Sequence, residues 1–325
     1  MKIAITGASG LLGRCLVSQI KDHEVLLMGR SLPKLQEIYQ DRPDTSLFET
    51  DYTEKSLSSI LAPADALIHF AARPTSKLFK NFEEYYWKIR LAENLFKAAR
   101  TAGIKNAVFA SSAMLYSPKV NSVPYVESEP VYPETLYAVC KLVIEKLGFL
   151  HVEQFKSLRL ALATLSERRG IMLGTFIQQA IRKQTITVYG KGTGVREMIY
   201  VKDAAAAIQA AINHPEQRGV FNIGSGVATS HNELAAMVNE VFAWGSAEII
   251  HDLTKEEAST RYPMDHGKAS KLLGWKPVYT TRQALTELKP EILASVVTEE
   301  IGPKEKPAGL ATKPSRDDGS GKVIA

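Results

Sequence analysis

Only two cysteines occur in the 325 residues, Cys15 and Cys140, far apart and outside any CxxC pattern. That excludes a disulfide-stapled scaffold and a dithiol redox pair, and it predicts a reducing, cytoplasmic setting. The seven histidines are scattered without metal-ligand spacing, so no metal site is expected. Long apolar runs are missing too, which excludes a membrane-spanning helix. Met1 and Lys2 lead straight into a β-branched segment with no secretory leader, so a soluble protein with no membrane partner is expected. Charge of one sign is scarce: the net value is +5 and the pI about 9.0. No Lys/Arg run with interleaved aromatics accompanies it, which argues against nucleic acid while remaining compatible with small anions.

The 45% hydrophobic content suffices for one large domain, or a main lobe plus a smaller one. Lys2-Ile3-Ala4-Ile5-Thr6 reads as a strand, Gly7 as a break, and Leu11, Leu12, Leu16, Val17 and Ile20 recur at helical spacing. The turn carries Gly7, Gly10 and Gly13 as G-x-x-G-x-x-G, around Ser9, Leu11 and Leu12. Glycines at a strand-to-helix turn let backbone N–H groups and the helix dipole face a pyrophosphate, so a dinucleotide is the expected ligand. A second strand, His23 to Met28, ends at Gly29, Arg30 and Ser31. An acidic residue there would take a free ribose 2′-hydroxyl, whereas arginine suits a 2′-phosphate; Arg30 therefore points to NADP, with NAD as the alternative. A third strand ends near Asp51 and Tyr52. Asp51 can reach an adenine amino group or, equally, cap the helix beginning near Glu54. A fourth strand ends in Ala71 and Ala72, followed by Arg73, small residues across which a cofactor can lie. His69 within it reads as packing.

A helix over about 82–102 is followed by a fifth strand, 105–112, that carries Ser111 and Ser112 at its C-terminal end, where parallel sheets bind ligands. Tyr137 and Lys141 stand four apart, hence on one helical face. A nearby ammonium favours the phenolate and should pull the tyrosine below its ordinary value near 10, making it a proton shuttle. Ser112 would hold the substrate oxygen beside it. Alone, Y-x-x-x-K is a common surface pattern; after a glycine turn and a Ser-Ser strand end it acquires catalytic meaning.

From Met1 to about Leu288 the chain resembles the extended short-chain dehydrogenase/reductase family, in its nucleotide-sugar epimerase/dehydratase group. The resemblance rests on the glycine turn, on Tyr137 and Lys141, on 108–116 (VFASSAMLY), 188–203 (VYGKGTGVREMIYVKD), 220–226 (VFNIGSG) and 269–277 (ASKLLGWKP). It implies catalytic Ser112, Tyr137 and Lys141, with a dinucleotide held by Gly7, Ser9, Gly10, Leu11, Leu12, Gly13, Arg30, Ser31, Asp51, Tyr52, Ala71, Ala72, Arg73, Tyr137 and Lys141. It also implies a nucleotide-sugar substrate bound by Ser111, Ser112, Arg196 and Arg261, and a homodimer through a helix bundle containing the Tyr137 helix. Arg196 and Arg261 could instead be ion-pair partners of Glu197 and Asp265. Arg168 and Arg169 are weaker candidates.

Departures narrow the activity. The acid pair that group dehydratases carry after the hydroxyl residue is replaced by Ala113 and Met114, and Lys88 stands where an asparagine is usual. The sixth strand, 158–165, lacks the usual asparagine and Gly-Pro. A hydride-transfer centre without a second acid/base pair fits an NADP-dependent reductase of a 4-keto nucleotide sugar, or alternatively a 4-epimerase with tightly held NAD. Reduction of a non-sugar ketone, and a non-enzymatic dinucleotide sensor or scaffold, are the remaining readings. The expected architecture is an α/β doubly wound parallel sheet (Rossmann) over residues 1–165, with a returning segment at about 196–224. A smaller C-terminal substrate lobe takes 166–195 and 225–297, and a tail over 298–325 is expected to be largely disordered.

Overall fold

Short β-branched runs punctuated by glycine and polar caps alternate with amphipathic helices through the first half of the chain, and such an alternation builds a parallel sheet covered on both faces. The structure is a computed structural model that describes residues 1–70, 82–117, 123–164, 172–182, 185–258 and 260–301. In chain order, β1 (Lys2–Thr6), α1 (Leu11–Gln19), β2 (Glu24–Gly29), α2 (Leu32–Tyr39), β3 (Thr45–Glu49), α3 (Glu54–Leu61), β4 (Ala66–His69), α4 (Phe82–Thr101) and β5 (Asn106–Ser112) come first. There follow α5 (Leu136–His151), β6 (Gln154–Leu160), β7 (Leu162–Thr164), α6 (Met172–Ile181), β8 (Ile186–Tyr189), β9 (Val195–Tyr200), α7 (Val201–Ile212) and β10 (Gly219–Ile223). The chain closes with β11 (Ala228–Ser230), α8 (His231–Ala243), β12 (Ile249–Asp252), α9 (Gly267–Leu273) and α10 (Thr281–Ile301).

The main sheet has seven strands in the order β10-β6-β5-β4-β1-β2-β3, every pair parallel. Alternation along each strand serves two cores. Ile3, Ile5, Val25, Leu27 and Val108 pack with α1, α7 and α9 on one face. Ala4, Leu26, Met28, Ala107 and Phe109 pack with α3, α4 and α5 on the other. Strand order reverses between β1 and β4, which opens a crevice beyond their C-terminal ends.

A smaller core gathers α6, β8, α8 and α10 around Phe176, Ile177, Leu234, Phe242 and Leu285. Beside it, β11-β9-β7 and β12-β8 form two small sheets. Within 196–224, α7 and β10 join the main sheet, while β9 pairs with β7 and β11. The 269–277 run ties this part back: Trp275 Nε1 donates to the Asp203 carbonyl at 3.0 Å, and the Asp203 carboxylate accepts from Val278 N and Tyr279 N. Helix α10 continues through Thr298 to Ile301, so the expected tail starts within a helix.

Helix α5 starts on Thr135, whose hydroxyl accepts from Ala138 N at 3.2 Å. It presses on the sheet at Gly148: a Cβ there would lie 2.0 Å from Phe155 Cζ, and Phe155 is fully buried. Gly148→Ala must therefore push α5 off β6, and urea denaturation should show a loss of about 1–3 kcal/mol. Unchanged stability would mean that α5 rides higher on the sheet than described.

Candidate active site

The glycine turn is built by backbone fit. Gly7 takes φ +74°, a conformation costly for any residue with a Cβ. A Cβ on Gly13 would fall 2.5 Å from the Gly7 carbonyl oxygen, so α1 can approach β1 only with glycine there. The N-cap of α1 is Gly10, which supplies no side-chain acceptor, and the first helical bond runs from Arg14 N to Gly10 O. The N–H groups of Leu11, Leu12 and Gly13 thus lack intrahelical partners and face the crevice end of β1, the geometry that receives a pyrophosphate. Tyr39 braces the turn by donating to Ala8 O at 2.7 Å. This cradle fits a dinucleotide.

At the neighbouring strand ends, Arg30 lies exposed with its guanidinium 5.0 Å above the Trp87 ring, and no carboxylate pairs with it among the described residues. Trp87 in turn meets Tyr52 edge-on at 6.4 Å. Tyr52 is buried with φ +60°, and its carbonyl accepts from Asn94 Nδ2. Ser31 is the N-cap of α2. Asp51 Oδ1 accepts from Thr53 N, Thr53 Oγ1 and Ser56 Oγ at 2.7–2.9 Å, which lowers it to about 2. That carboxylate organises the start of α3, although the N-cap itself is Thr53. Ala71, Ala72 and Arg73, like Arg168 and Arg169, lie outside the described residues.

Ser112, Tyr137 and Lys141 do converge. The Ser112 hydroxyl accepts from Met114 N at 3.2 Å and lies near enough to the Tyr137 phenol to act on its ionisation. Ser111 is buried beside it, its Oγ unpartnered among the described residues. Lys141 Nζ donates to Ala110 O at 2.5 Å and lies 4.6 Å over the Phe109 ring and 5.7 Å over that of Tyr137. The expected depression of the tyrosine is overturned in this structure: burial pushes Tyr137 up to about 12, the nearby Ser112 hydroxyl opposing it more weakly. Lys141, turned to a carbonyl, does not offset that burial, and burial lowers the lysine itself to about 8. His69 is fully buried, bonded to Thr6 Oγ1 at 2.7 Å and stacked on Phe109, and burial with Lys141 nearby keeps it neutral.

Sequence reasoning missed the anchor below this trio. Glu145, on the same helical face one turn beyond Lys141, forms a bidentate pair with Arg159 of β6 at 3.2 and 3.0 Å, and Ser157 donates to it at 2.8 Å. The repeating interval 137, 141, 145 was the available signal. Lys88, ion-paired with Glu84 at 2.9 Å, reaches the site as well, its charge acting on Lys141 and Cys140.

Further out, Arg261 NH1 donates to Tyr116 O at 2.9 Å, NH2 stands 3.6 Å from Glu134, and Nε is buried without a partner among the described residues. Arg196 is half-buried, and burial, then the like charge of Arg261, lowers it. Neither arginine pairs with the carboxylates considered from sequence. Glu197 accepts instead from Gly226 N at 2.7 Å and Met264 N at 3.1 Å, burial raising it to about 7, and Asp265 accepts from Gly267 N.

A crevice at the strand-order reversal, a glycine cradle and a Ser-Tyr-Lys cluster at its mouth are matched by a known family. The profile of the NAD dependent epimerase/dehydratase family aligns with residues 3–224. The chain belongs to that family. Its members in the extended short-chain dehydrogenase/reductase group are NAD(P)-dependent enzymes, and the seven-stranded sheet is their Rossmann fold. The chain is similar to the low-salt glycan biosynthesis protein Agl12 of Haloferax volcanii, 27% identical over 88% of this chain and 96% of that one. It is likewise 27% identical to the UDP-glucose 4-epimerase of Halalkalibacterium halodurans, over 88% and 94%. Among solved structures it resembles the UDP-N-acetylglucosamine 4-epimerase from Bacillus cereus, with a TM-score of 0.77 and 30% identity over 90% and 99%. No described helix is long and apolar enough to cross a membrane.

Lys141 offers a stability test of the site. Its folded value of about 8 lies below the ordinary 10.5. Below pH 8 the buried charge costs stability in full; as pH rises from 8 to 10.5 the unfolded state binds more protons and the native protein gains. Relative to Lys141→Met, the parent should therefore gain up to about 3 kcal/mol across that window in denaturant titrations. A difference independent of pH would show that the lysine titrates normally.

Proposed function

We propose that this chain is a nucleotide-sugar 4-epimerase that retains its dinucleotide. The observation that carries the reading is the Ser112-Tyr137-Lys141 cluster at the mouth of the glycine cradle, with Ala113 and Met114 in the 3₁₀ turn after Ser112 in place of an acid pair. The expected reductase is less well supported, because UDP-sugar 4-epimerases and a UDP-glucuronic acid decarboxylase are among the chain's relatives. The turn from Gly7 to Gly13 would hold the pyrophosphate, Arg30 and Ser31 would lie toward the adenosine ribose, and Tyr137 and Lys141 toward the other end. When bound, the dinucleotide supplies reversible hydride acceptance at C4 of the sugar. Tyr137 takes the proton from the C4 hydroxyl and later returns it, Ser112 donates to the same oxygen, and Lys141 swung from Ala110 toward the phenol would favour its ionised form. Net redox is zero, so no second substrate is needed. Inversion follows if the 4-keto sugar turns before hydrogen returns.

One observation favours the second reading, NADPH-dependent reduction: Arg30 stands on Trp87 with no acidic partner among the described residues at the strand end that selects the cofactor. We also propose a homodimer in a reducing cytoplasm, its interface using the exposed apolar side chains Phe82 and Tyr86 of α4 and Val139 of α5.

The as-purified protein, given UDP-glucose or UDP-N-acetylglucosamine and no added cofactor, should form the C4 epimer. Tyr137→Phe should slow it by about 10²–10⁴-fold while dinucleotide still co-purifies. Stoichiometric NADPH consumption with a 4-keto sugar, and no epimer, would move the assignment to the reductase.

A further inference from the structure

The antiparallel ladder between β9 and β11 pairs Thr229 with Arg196 and Ser230 with Val195, and His231 N extends it by donating to Gly194 O at 3.0 Å. Alternation puts Gly194, Arg196, Thr229 and His231 on one face and Glu197 on the other. The imidazole fits there because residue 194 has no side chain: a Cβ would lie 3.1 Å from His231 Cε1 and 3.0 Å from Glu257 Oε1. Glu257 Oε1 accepts from Gly194 N at 2.5 Å and stands 3.3 Å from His231 Nδ1. A carboxylate at that distance favours the tautomer with its proton on Nδ1. Nε2, on the other side of the ring, is without a partner among the described residues, in a residue only 2% exposed. A buried ring nitrogen with no partner costs free energy that a bound group can recover.

We propose that His231, backed by Glu257 and facing Arg196, is a third cationic contact for the substrate's diphosphate and takes up a proton when the nucleotide sugar binds. This rests on the nucleotide-sugar reading above. Among the described residues the charges that act on the imidazole are Arg196 from β9 and Glu257 from the segment after β12. Burial and the Arg196 charge hold it below the ordinary histidine value, and Glu257 opposes them. Without an anion the ring is neutral near pH 7. A diphosphate beside Arg196 and Arg261 cancels their repulsion, the ring protonates, and Nε2–H becomes a charge-assisted donor while Nδ1–H stays on Glu257.

Titration calorimetry of the NAD-loaded protein with UDP-glucose at pH 7.5, in two buffers of different ionisation enthalpy, reads the proton directly. The esterified diphosphate has no group titrating near that pH, and epimerisation itself releases none. We expect a substantial fraction of one proton taken up per ligand bound. His231→Asn should abolish the uptake and weaken binding about tenfold at pH 6.5, the difference shrinking by pH 8.5. Glu257→Gln, at a more exposed position, should diminish the uptake because the imidazolium loses its counter-charge. Binding with no buffer dependence, or uptake unchanged in His231→Asn, overturns the inference alone. Failure of UDP-glucose, dTDP-glucose and ADP-glucose all to bind overturns the nucleotide-sugar reading and this inference with it.

Discussion

The position of α5 along the sheet is set by the buried pair between Glu145 and Arg159, and the placement of Tyr137 and Lys141 follows from it. Both side chains are almost wholly buried, so much of their attraction is offset by lost hydration. What remains is geometry. Two parallel bonds between a carboxylate and a guanidinium tolerate little sliding, and Ser157 adds a third from the same strand. Arg159 also lies 4.9 Å from the Tyr116 ring, whose hydroxyl donates to Asn222 of β10. In register it stands beside Ser111 on one side and Asn222 on the other. One buried cation therefore indexes α5 against β5, β6 and β10, while Gly148 sets how closely the helix can approach.

Around that anchor the chain keeps an excess of positive charge. Lys141 and Lys88 are buried near one another, and Arg196 and Arg261 repel across the outer part of the site. Such a constellation lowers stability in isolation and suits a ligand bearing phosphates, because the donors are already dehydrated and oriented. Tyr137 belongs to the same balance. Burial holds it protonated, so ionisation needs Lys141 to exchange a backbone carbonyl for the phenol, a small movement of one side chain.

The strands, most helices and the glycine turn were legible because period and punctuation are local properties. The Tyr137–Lys141 interval likewise fixed a shared face. The pKa of the tyrosine was not legible, since it depends on how deeply α5 is packed and where the ammonium points. Asp51 illustrates the same limit: its position beyond β3 was readable, its three local donors only in part. Glu197 was considered only as an alternative partner for Arg196, yet adjacent strand residues point to opposite faces, and its carboxylate is taken by the backbone at Gly226 and Met264. The motifs at 188–203 and 269–277 were matched as separate signatures. Their joint meaning is a contact across 72 residues, Trp275 on Asp203.

That contact and the segment bearing Arg261 explain how two cores act on one ligand. Tyr125 N donates to Pro263 O and Asp265 N to Tyr125 O, while Arg261 reaches Tyr116 O, lacing the 261–265 segment to the loop beyond β5. Arg196 stands on β9, which runs directly into α7 on the main sheet. Arg196 and Arg261 thus stand together at the outer part of the site, and the hydroxyls of Ser111, Ser112 and Tyr137 lie with Lys141 at its other end. A diphosphate gripped by arginines and a sugar touched by a few neutral donors are held with very unequal strength. Under the epimerase reading that inequality is functional: the nucleotide stays bound while the oxidised sugar turns, because the bonds that anchor the one do not restrain the other.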